Sequence, residues 1–471
     1  MAEAASLPHG LPEELSLVFA RGLAQIRSEN DVPAEFPAEA LRCAERVAVQ
    51  PLGADHVDRT DLAFVTLDPA SSTDLDQAFT IETAQGGDLV LRYAIADVPW
   101  FVHTGDALDT QAWARGVTTY LPDHRAALYP TALSEGAASL LPDGPRRAVI
   151  FVVRVSSDGA VQLDGVERAV IRSRAKLAYE TAASADLPDA FSDFGARIAA
   201  AEDDRGASRV ETPEQQIERD GVSGYRVVFR PRLLNETNNA AMSLATNMAV
   251  ADALYAARTG LFRVMPEPDD KSVSRLRFTA KALGLHWPDS VNLRGFERGL
   301  DQGQSNAAAF LLAVRRATGG AAYAGYEPNV VPWHAAMAAT YCHGTAPLRR
   351  LGDRFVVAAA LSVANGKSVP DDVQAAFVRL PEVMDRAEAR ASRVERSAID
   401  LIEAIVLQGR EGQSFDAVVT DHDERGARIQ LCEPAVVARV SAHGVGPGDA
   451  IRVRLVSSDP IKREVKFERV S

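Results

Sequence analysis

The stretch Leu67-Asp-Pro-Ala-Ser-Ser-Thr-Asp-Leu-Asp-Gln-Ala-Phe79 gathers three carboxylates, Asp68, Asp74 and Asp76, into one short turn. Ala63 to Leu67 reads as a strand running in, and Ala78 to Glu82 as a strand running out with alternating character. Three anions held this closely repel one another unless positive charge sits between them. A hard divalent cation answers that need, and Mg²⁺ sites use one or two carboxylates together with waters and substrate phosphates. A solvated Asp/Ser-rich hairpin turn is the plain alternative, and the loop alone leaves both readings open. An EF-hand fits poorly, because its loop needs Gly at the sixth position and Glu at the twelfth, and neither is present.

Working outward, the chain continues with Tyr93-Ala-Ile-Ala-Asp-Val-Pro-Trp-Phe-Val102, then Gly105-Asp-Ala-Leu-Asp109 and Ala112, then Arg115-Gly-Val-Thr-Thr-Tyr-Leu-Pro122. Ser139-Leu-Leu-Pro142 and Arg146-Arg147 follow. Further on stand Leu261-Phe-Arg-Val-Met-Pro-Glu-Pro268, Thr345-Ala-Pro-Leu-Arg-Arg350 and Val394-Glu-Arg-Ser397. In order and spacing these segments resemble the catalytic domain of the ribonuclease II (RNB) family of exoribonucleases. The family pattern is an Asp-rich loop, an Ile-Ala-Asp-Val strand, a Leu-Asp-x-x-Ala helix and an Arg…Tyr-Leu-Pro segment. Each piece is weak alone, and together they are specific. The resemblance runs from about Asp58 to about Leu407.

That resemblance implies a mixed α/β (α+β) catalytic domain over 58–407. It also implies hydrolysis of single-stranded RNA from the 3′ end, by metal-assisted phosphodiester cleavage, with release of nucleoside 5′-monophosphates. Metal ions held by carboxylates can activate water, neutralise the non-bridging oxygens and stabilise the leaving group. The family's acidic cluster binds Mg²⁺, for which Mn²⁺ can substitute. Asp68, Asp74 and Asp76 fall on three of its four positions, with Asp74 and Asp76 also expected to be catalytic. The fourth is Gln77, where the family has Asp. Gln77 still offers a neutral oxygen to the metal but removes one negative charge. The competing possibility is an RNB-like RNA-binding regulator that lost catalysis there.

Arg349 matches the family arginine beside the scissile phosphate, where a forked guanidinium can bind two phosphate oxygens and neutralise developing charge. Arg350, its neighbour, is a further RNA-binding candidate. Glu395 matches a family glutamate near the active site. Tyr120 stands where the family places an aromatic that stacks on the 3′-terminal base, which suits a sequence-tolerant enzyme because every base has a π-face. Tyr179 matches a second family tyrosine near the terminal nucleotides, and Tyr225 is a candidate for the far end of the bound segment. Without the motif, these tyrosines would be read as core. The family's ribose-contacting glutamate has no counterpart in Asn238-Asn-Ala-Ala241, which puts sugar discrimination through the 2′-hydroxyl in doubt.

The remaining sequence frames this domain. Residues 1–57 read as a small helical module, with a start at Pro12, helical spacing through Leu15, Phe19, Leu23 and Ile26, and a second helix from Pro37 to Val47. It is either helix-turn-helix-like or a cap on the main domain. The family usually begins with two cold-shock-type barrels, for which these residues leave no space, so a duplex with a 3′ overhang is expected to be digested further than a narrow entrance would allow. Glu202 to Ser223 is polar and reads as a surface excursion. Residues 410–471 hold five short strand-like runs punctuated by Gly426, Gly444, Gly446-Pro-Gly448 and Asp459-Pro460. They fit an all-β OB-fold barrel resembling an S1 RNA-binding domain. Phe415, with Arg428, Arg452 and Arg454, is expected to be exposed there and to hold a single strand; the alternative is a small barrel whose aromatic is core.

Bulk properties set outer limits. A net charge of −13 over 471 residues argues against a surface that grips nucleic acid everywhere, but not against positive charge focused in a channel. No run approaches ~18 apolar residues, so no membrane span is expected. Met1 to Pro8 carries no basic-then-apolar signal, and Cys43, Cys342 and Cys432 are odd in number and far apart. These features predict a cytoplasmic protein with reduced thiols; the resemblance implies single-stranded RNA as its partner, and a monomer is expected.

Overall fold

The computed structural model of the chain describes residues 13–52, 55–207, 214–220, 224–230, 232–300, 305–317, 319–423, 426–442, 444–446 and 448–470. Pro12, Gly53, part of the Glu202–Ser223 excursion and the proline between Gly446 and Gly448 lie outside the described residues.

In chain order the first strands are β1 (Val57–Asp58), β2 (Thr66–Asp68), β3 (Gln77–Thr83), β4 (Leu89–Ala96), β5 (Thr119–Tyr120), β6 (Arg125–Ala126), β7 (Arg146–Val155), β8 (Val161–Ile171) and β9 (Lys176–Ala178). Five form one sheet in the order β1-β8-β7-β4-β3. Antiparallel pairing joins β3 to β4, β4 to β7 and β7 to β8, and β1 adds to β8 in parallel. Strand β4 is buried along nearly its whole length, as its continuous apolar run requires when both faces of a sheet are covered. Helices Leu234–Ala256 and Leu351–Ala364 pack against this sheet. Strand β2 pairs in parallel with β9, and the Val65–Phe79 bridge keeps the two ends of the acidic loop together.

Helix Asp371–Leu407 runs for 37 residues with Pro381 inside it. A proline cannot donate to the carbonyl four residues earlier, here that of Phe377. The strand Ala322–Gly325 lies against the helix at this point, and a Cβ on Gly325 would come 3.2 Å from the Phe377 carbonyl oxygen. The helices between Asp270 and Ala317 build a small core of their own, in which Trp287 stacks on Phe296 at 4.8 Å with Phe310 against both. The sequence reading did not anticipate this unit.

Helix α1 (Glu13–Glu29) buries Phe19, Leu23 and Ile26 among Leu401, Ile402 and Ile405 of the long helix. The approach is close, since a Cβ on Gly22 would sit 2.5 Å from a Leu401 methyl group. Helix α2 (Ala38–Ala48) instead buries Cys43, Ala44 and Val47 in the main core. Of the two expectations for this module, the packing fits the cap. Each helix spends its apolar face on a different part of the body, so together they cap it.

The last five strands, Ser414–Asp423, Gly426–Leu431, Val437–Ser441, Ala450–Asp459 and Glu464–Arg469, close into a barrel. One expectation fails here. Phe415 is a core residue, buried edge-to-face against Phe467 at 6.0 Å, because its position on the first strand faces inward. Arg428, Arg452 and Arg454 do face outward, with Arg454 paired to Glu468. Leu407, the last residue of the long helix, joins the barrel core, and Ser458 donates to the Ala404 carbonyl at 2.6 Å, fixing the barrel to the helix end.

Candidate active site

The acidic loop leaves β2 at Asp68 and re-enters the sheet at β3. Ser139 staples it: the Leu75 N–H donates to Ser139 Oγ at 2.9 Å, and that hydroxyl donates to the Thr73 carbonyl at 2.7 Å. The Leu140 N–H adds a bond to the Leu75 carbonyl, so the Ser139–Pro142 segment is the clamp that shapes the loop. A second turn, Thr345–Arg350, docks from the other side. The Leu348 N–H donates to Asp76 Oδ1 at 2.7 Å, and Arg349 Nε lies 3.2 Å from Asp76 Oδ2. The Thr118 N–H in turn donates to the Arg349 carbonyl, tying in the segment that carries Tyr120. Three stretches far apart in sequence thus meet at one point.

They line a cavity of about 1660 Å³. Asp68, Asp74, Gln77, Tyr120, Tyr179 and Arg349 all face it, and Asp76 is buried directly behind its wall. Seven arginines and six carboxylates line it altogether, so positive charge is concentrated here relative to an acidic protein. Asp68 has no hydrogen bond or ion pair to its carboxylate among the described residues. Burial pushes the Asp68 carboxyl up to about 7, with Arg349 pulling the other way and Asp74 adding to the rise. Burial likewise pushes Asp76 up to about 8, against Arg349 and the Leu348 N–H. Burial would lower the Arg349 guanidinium, but Asp76, Tyr120 and Asp68 together more than offset it and raise the group above its ordinary value. Asp68, half-buried and without a direct partner beside the buried, Arg349-paired Asp76, is the carboxylate of this site that suits a hard divalent cation. No group of three such ligands is already drawn together among the described residues.

The other expected residues are distributed unevenly. Asp74 Oδ1 is 2.6 Å from Arg125 Nη1, and the same guanidinium also pairs with Glu135. Gln77, expected as a weakened metal ligand, has both ends of its amide engaged. It donates to the Thr345 carbonyl at 2.6 Å and accepts from Tyr93 Oη at 2.8 Å. Arg350 commits two nitrogens to the buried Asp353 at 3.0 and 2.7 Å, while still reaching the cavity wall. Tyr179 Oη accepts from Asn239 at 2.9 Å, so an amide from Asn238-Asn-Ala-Ala241 does reach the site. Tyr225 lies on the strand Gly224–Arg230, paired through its backbone with Arg219. Glu395 is not brought to the site: it lies on an exposed face of the long helix and does not line the cavity, because the inward positions of that turn are Val394 and Ala398.

Sequence reasoning missed Arg125. The signal was the turn at Pro122-Asp123, which makes Tyr120 and Arg125 direct cross-strand partners of β5 and β6. Directly opposed residues point to the same face, so the tyrosine brings the arginine with it.

Comparison with known proteins agrees with this architecture. The family profile described as RNB domain matches residues 56–361, and the profile described as RNase II-type exonuclease C-terminal S1 domain matches residues 413–470. Ribonuclease R of Thermotoga maritima is 25% identical over 493 residues, covering 92% of this chain and 68% of that protein. The chain therefore spans about two thirds of its relative's length. Among solved structures, Mycoplasma genitalium RNase R in complex with ribose methylated single-stranded RNA superposes with a TM-score of 0.86 at 20% identity, covering 96% of this chain and 78% of that one. Yeast Ssd1, a pseudonuclease, shares the fold at a TM-score of 0.67 and 17% identity, covering 83% of this chain and 51% of that one.

Proposed function

This chain belongs to the RNB family, and on that premise we propose that it is a metal-dependent 3′-to-5′ exoribonuclease acting on single-stranded RNA and releasing nucleoside 5′-monophosphates. The observation that carries the proposal is the Arg349–Asp76 pair at 3.2 Å, set beside the unpaired Asp68 carboxylate in one cavity with Tyr120 at its rim.

In this reading Tyr120 stacks on the 3′-terminal base and Tyr179 contacts the adjoining nucleotide. Arg349, held from behind by Asp76, offers N–H donors to the non-bridging oxygens of the scissile phosphate and to the charge that grows there as water attacks phosphorus. Asp68 would hold the metal ion, Mg²⁺ or Mn²⁺, with Asp76 engaged behind it by Arg349 and the Leu348 N–H. When bound, that ion supplies charge neutralisation and activation of water. The barrel guides the incoming strand through outward Arg428, Arg452 and Arg454. Arg350, paired to Asp353, acts mainly by bracing the turn that presents Arg349. A cytoplasmic setting and a monomeric state complete the reading; Cys43, Cys342 and Cys432 are all free thiols.

The rival reading, a catalytically impaired RNA-binding regulator, draws on Gln77, whose amide is bonded at both ends to Thr345 and Tyr93. Retention of Asp68, Asp76 and Arg349 in one arrangement weighs against it. The discriminating experiment incubates the protein with 5′-labelled oligo(A) and Mg²⁺, Mn²⁺ or EDTA. Stepwise shortening from the 3′ end with AMP release, abolished by EDTA, is expected. Binding without shortening would favour the regulator, and internal cuts would reject exonucleolytic action.

A further inference from the structure

Two features of this site push in one direction. Gln77 removes a charge where the family resemblance calls for a fourth carboxylate, and its amide is tied to Thr345 and Tyr93. Arg125 places a permanent charge 2.6 Å from Asp74. The guanidinium is held from its other side by Glu135, which itself accepts from Thr73 Oγ1 at 2.5 Å, so Arg125 is bracketed between two anions. Its strand partner Tyr120 fixes where it emerges on the cavity wall.

We infer that Arg125 is a built-in cation of this site, holding Asp74 as its counter-ion, so that the acidic loop takes one divalent ion beside Asp68 and not two. The inference rests on the metal-dependent reading given above. Charge balance supports it. Of the four carboxylates Asp68, Asp74, Asp76 and Glu135, Arg125 pairs with Asp74 and Glu135, Arg349 pairs with Asp76, and Lys176 acts on Asp68 without bonding to it. Asp68 is left as the one carboxylate of the four with no direct partner and takes one divalent ion, whereas a second ion would have to displace a guanidinium from Asp74. Arg125 is thus a positioning residue: it withdraws Asp74 from metal binding and keeps a positive charge beside the stacking surface of Tyr120.

The test is a Mn²⁺ titration of the full chain followed by electron paramagnetic resonance, with AMP present as the reaction product that supplies a phosphate. The wild type is expected to bind one ion per chain. Asp74→Asn should leave that number unchanged and the affinity within about threefold, while Asp68→Asn weakens binding at least tenfold. Arg125→Gln should release Asp74 and either add a second ion or tighten binding about tenfold. Two ions in the wild type overturn the inference without needing any variant to fold. So does an Asp74→Asn loss as large as that of Asp68→Asn, or an Arg125→Gln protein whose number and affinity of ions are unchanged. A wild type that binds no Mn²⁺ overturns the metal-dependent reading itself, and this inference with it.

Discussion

Asp76 grips both the backbone and the side chain of one turn: Oδ1 takes the Leu348 N–H at 2.7 Å and Oδ2 lies 3.2 Å from Arg349 Nε. The carboxylate is only 3% exposed, while the Arg349 side chain keeps 43% of its surface open. A buried anion therefore orients a cation whose other nitrogens are free to meet a phosphate.

Replacing that anion separates its two tasks. Asp76→Asn keeps an oxygen for the Leu348 N–H but loses the charge that aims Arg349. Turnover of 5′-labelled oligo(A) is expected to fall at least about 10²-fold, the scale of losing one oriented transition-state donor. RNA affinity, measured by filter binding, should change far less. Near-normal AMP release would remove Asp76 from the mechanism.

Tyr120 is half exposed at the cavity rim, with 51% of its surface open, so its truncation should hardly disturb folding. Tyr120→Ala is expected to weaken binding of a short oligonucleotide by roughly 1–3 kcal/mol, the range for one lost base stack. Tyr120→Phe, which keeps the ring, should bind as the parent does. Equal losses in both variants would mean that the hydroxyl matters and stacking does not.

Gln77 works as a cross-link between the acidic loop and the Thr345 turn, and only an amide can serve both bonds. Gln77→Glu would set a carboxylate against the Thr345 carbonyl, which the wild-type nitrogen approaches at 2.6 Å. Urea unfolding at pH 8 should show a loss of about 1–3 kcal/mol, the cost of an unsatisfied buried polar contact. The loss should shrink as pH falls and the new carboxyl takes up a proton. A variant as stable as the parent at pH 8 would show that the site relaxes around the charge.

Glu403 gives the long helix a pH-sensitive joint with the barrel. Its carboxylate accepts from the Val437 N–H at 2.8 Å and from Gln215 Nε2 at 2.7 Å, but burial dominates and pushes it up to about 7 from the ordinary 4.5. Because the folded-state value is raised, the native protein holds an extra proton between about 4.5 and 7. Stability is therefore lost as pH rises through that window. Glu403→Gln should match the parent near pH 4 and exceed it above pH 7, by at most on the order of 3 kcal/mol. Thermal melts at the two pH values are the measurement, and a variant no more stable at pH 8 rejects this account.

Much of this was legible in the chain before folding. The acidic loop, the strand that ends at Ile95-Ala96 and the Thr345–Arg350 turn are local patterns, and five runs with glycine punctuation read directly as a barrel. What stayed hidden depends on direction and on distant partners. Glu395 differs from its neighbour Val394 only in which side of a helix it occupies, and Phe415 looked exposed because the inward face of its strand was unknown. The commitment of Gln77 to Thr345 is a contact across 268 residues that no local pattern encodes. Arg125 could be read only after β5 and β6 were paired.

The helix Asp371–Leu407 carries one more consequence. At a rise of 1.5 Å per residue, its 37 residues make a rod of about 55 Å. It touches the Tyr120 strand along its flank and plants Leu407 in the barrel core at its end. The barrel and the stacking rim are thus two jaws of a caliper, joined by one helix and not by a loop. Any strand that engages both must bridge a preset gap.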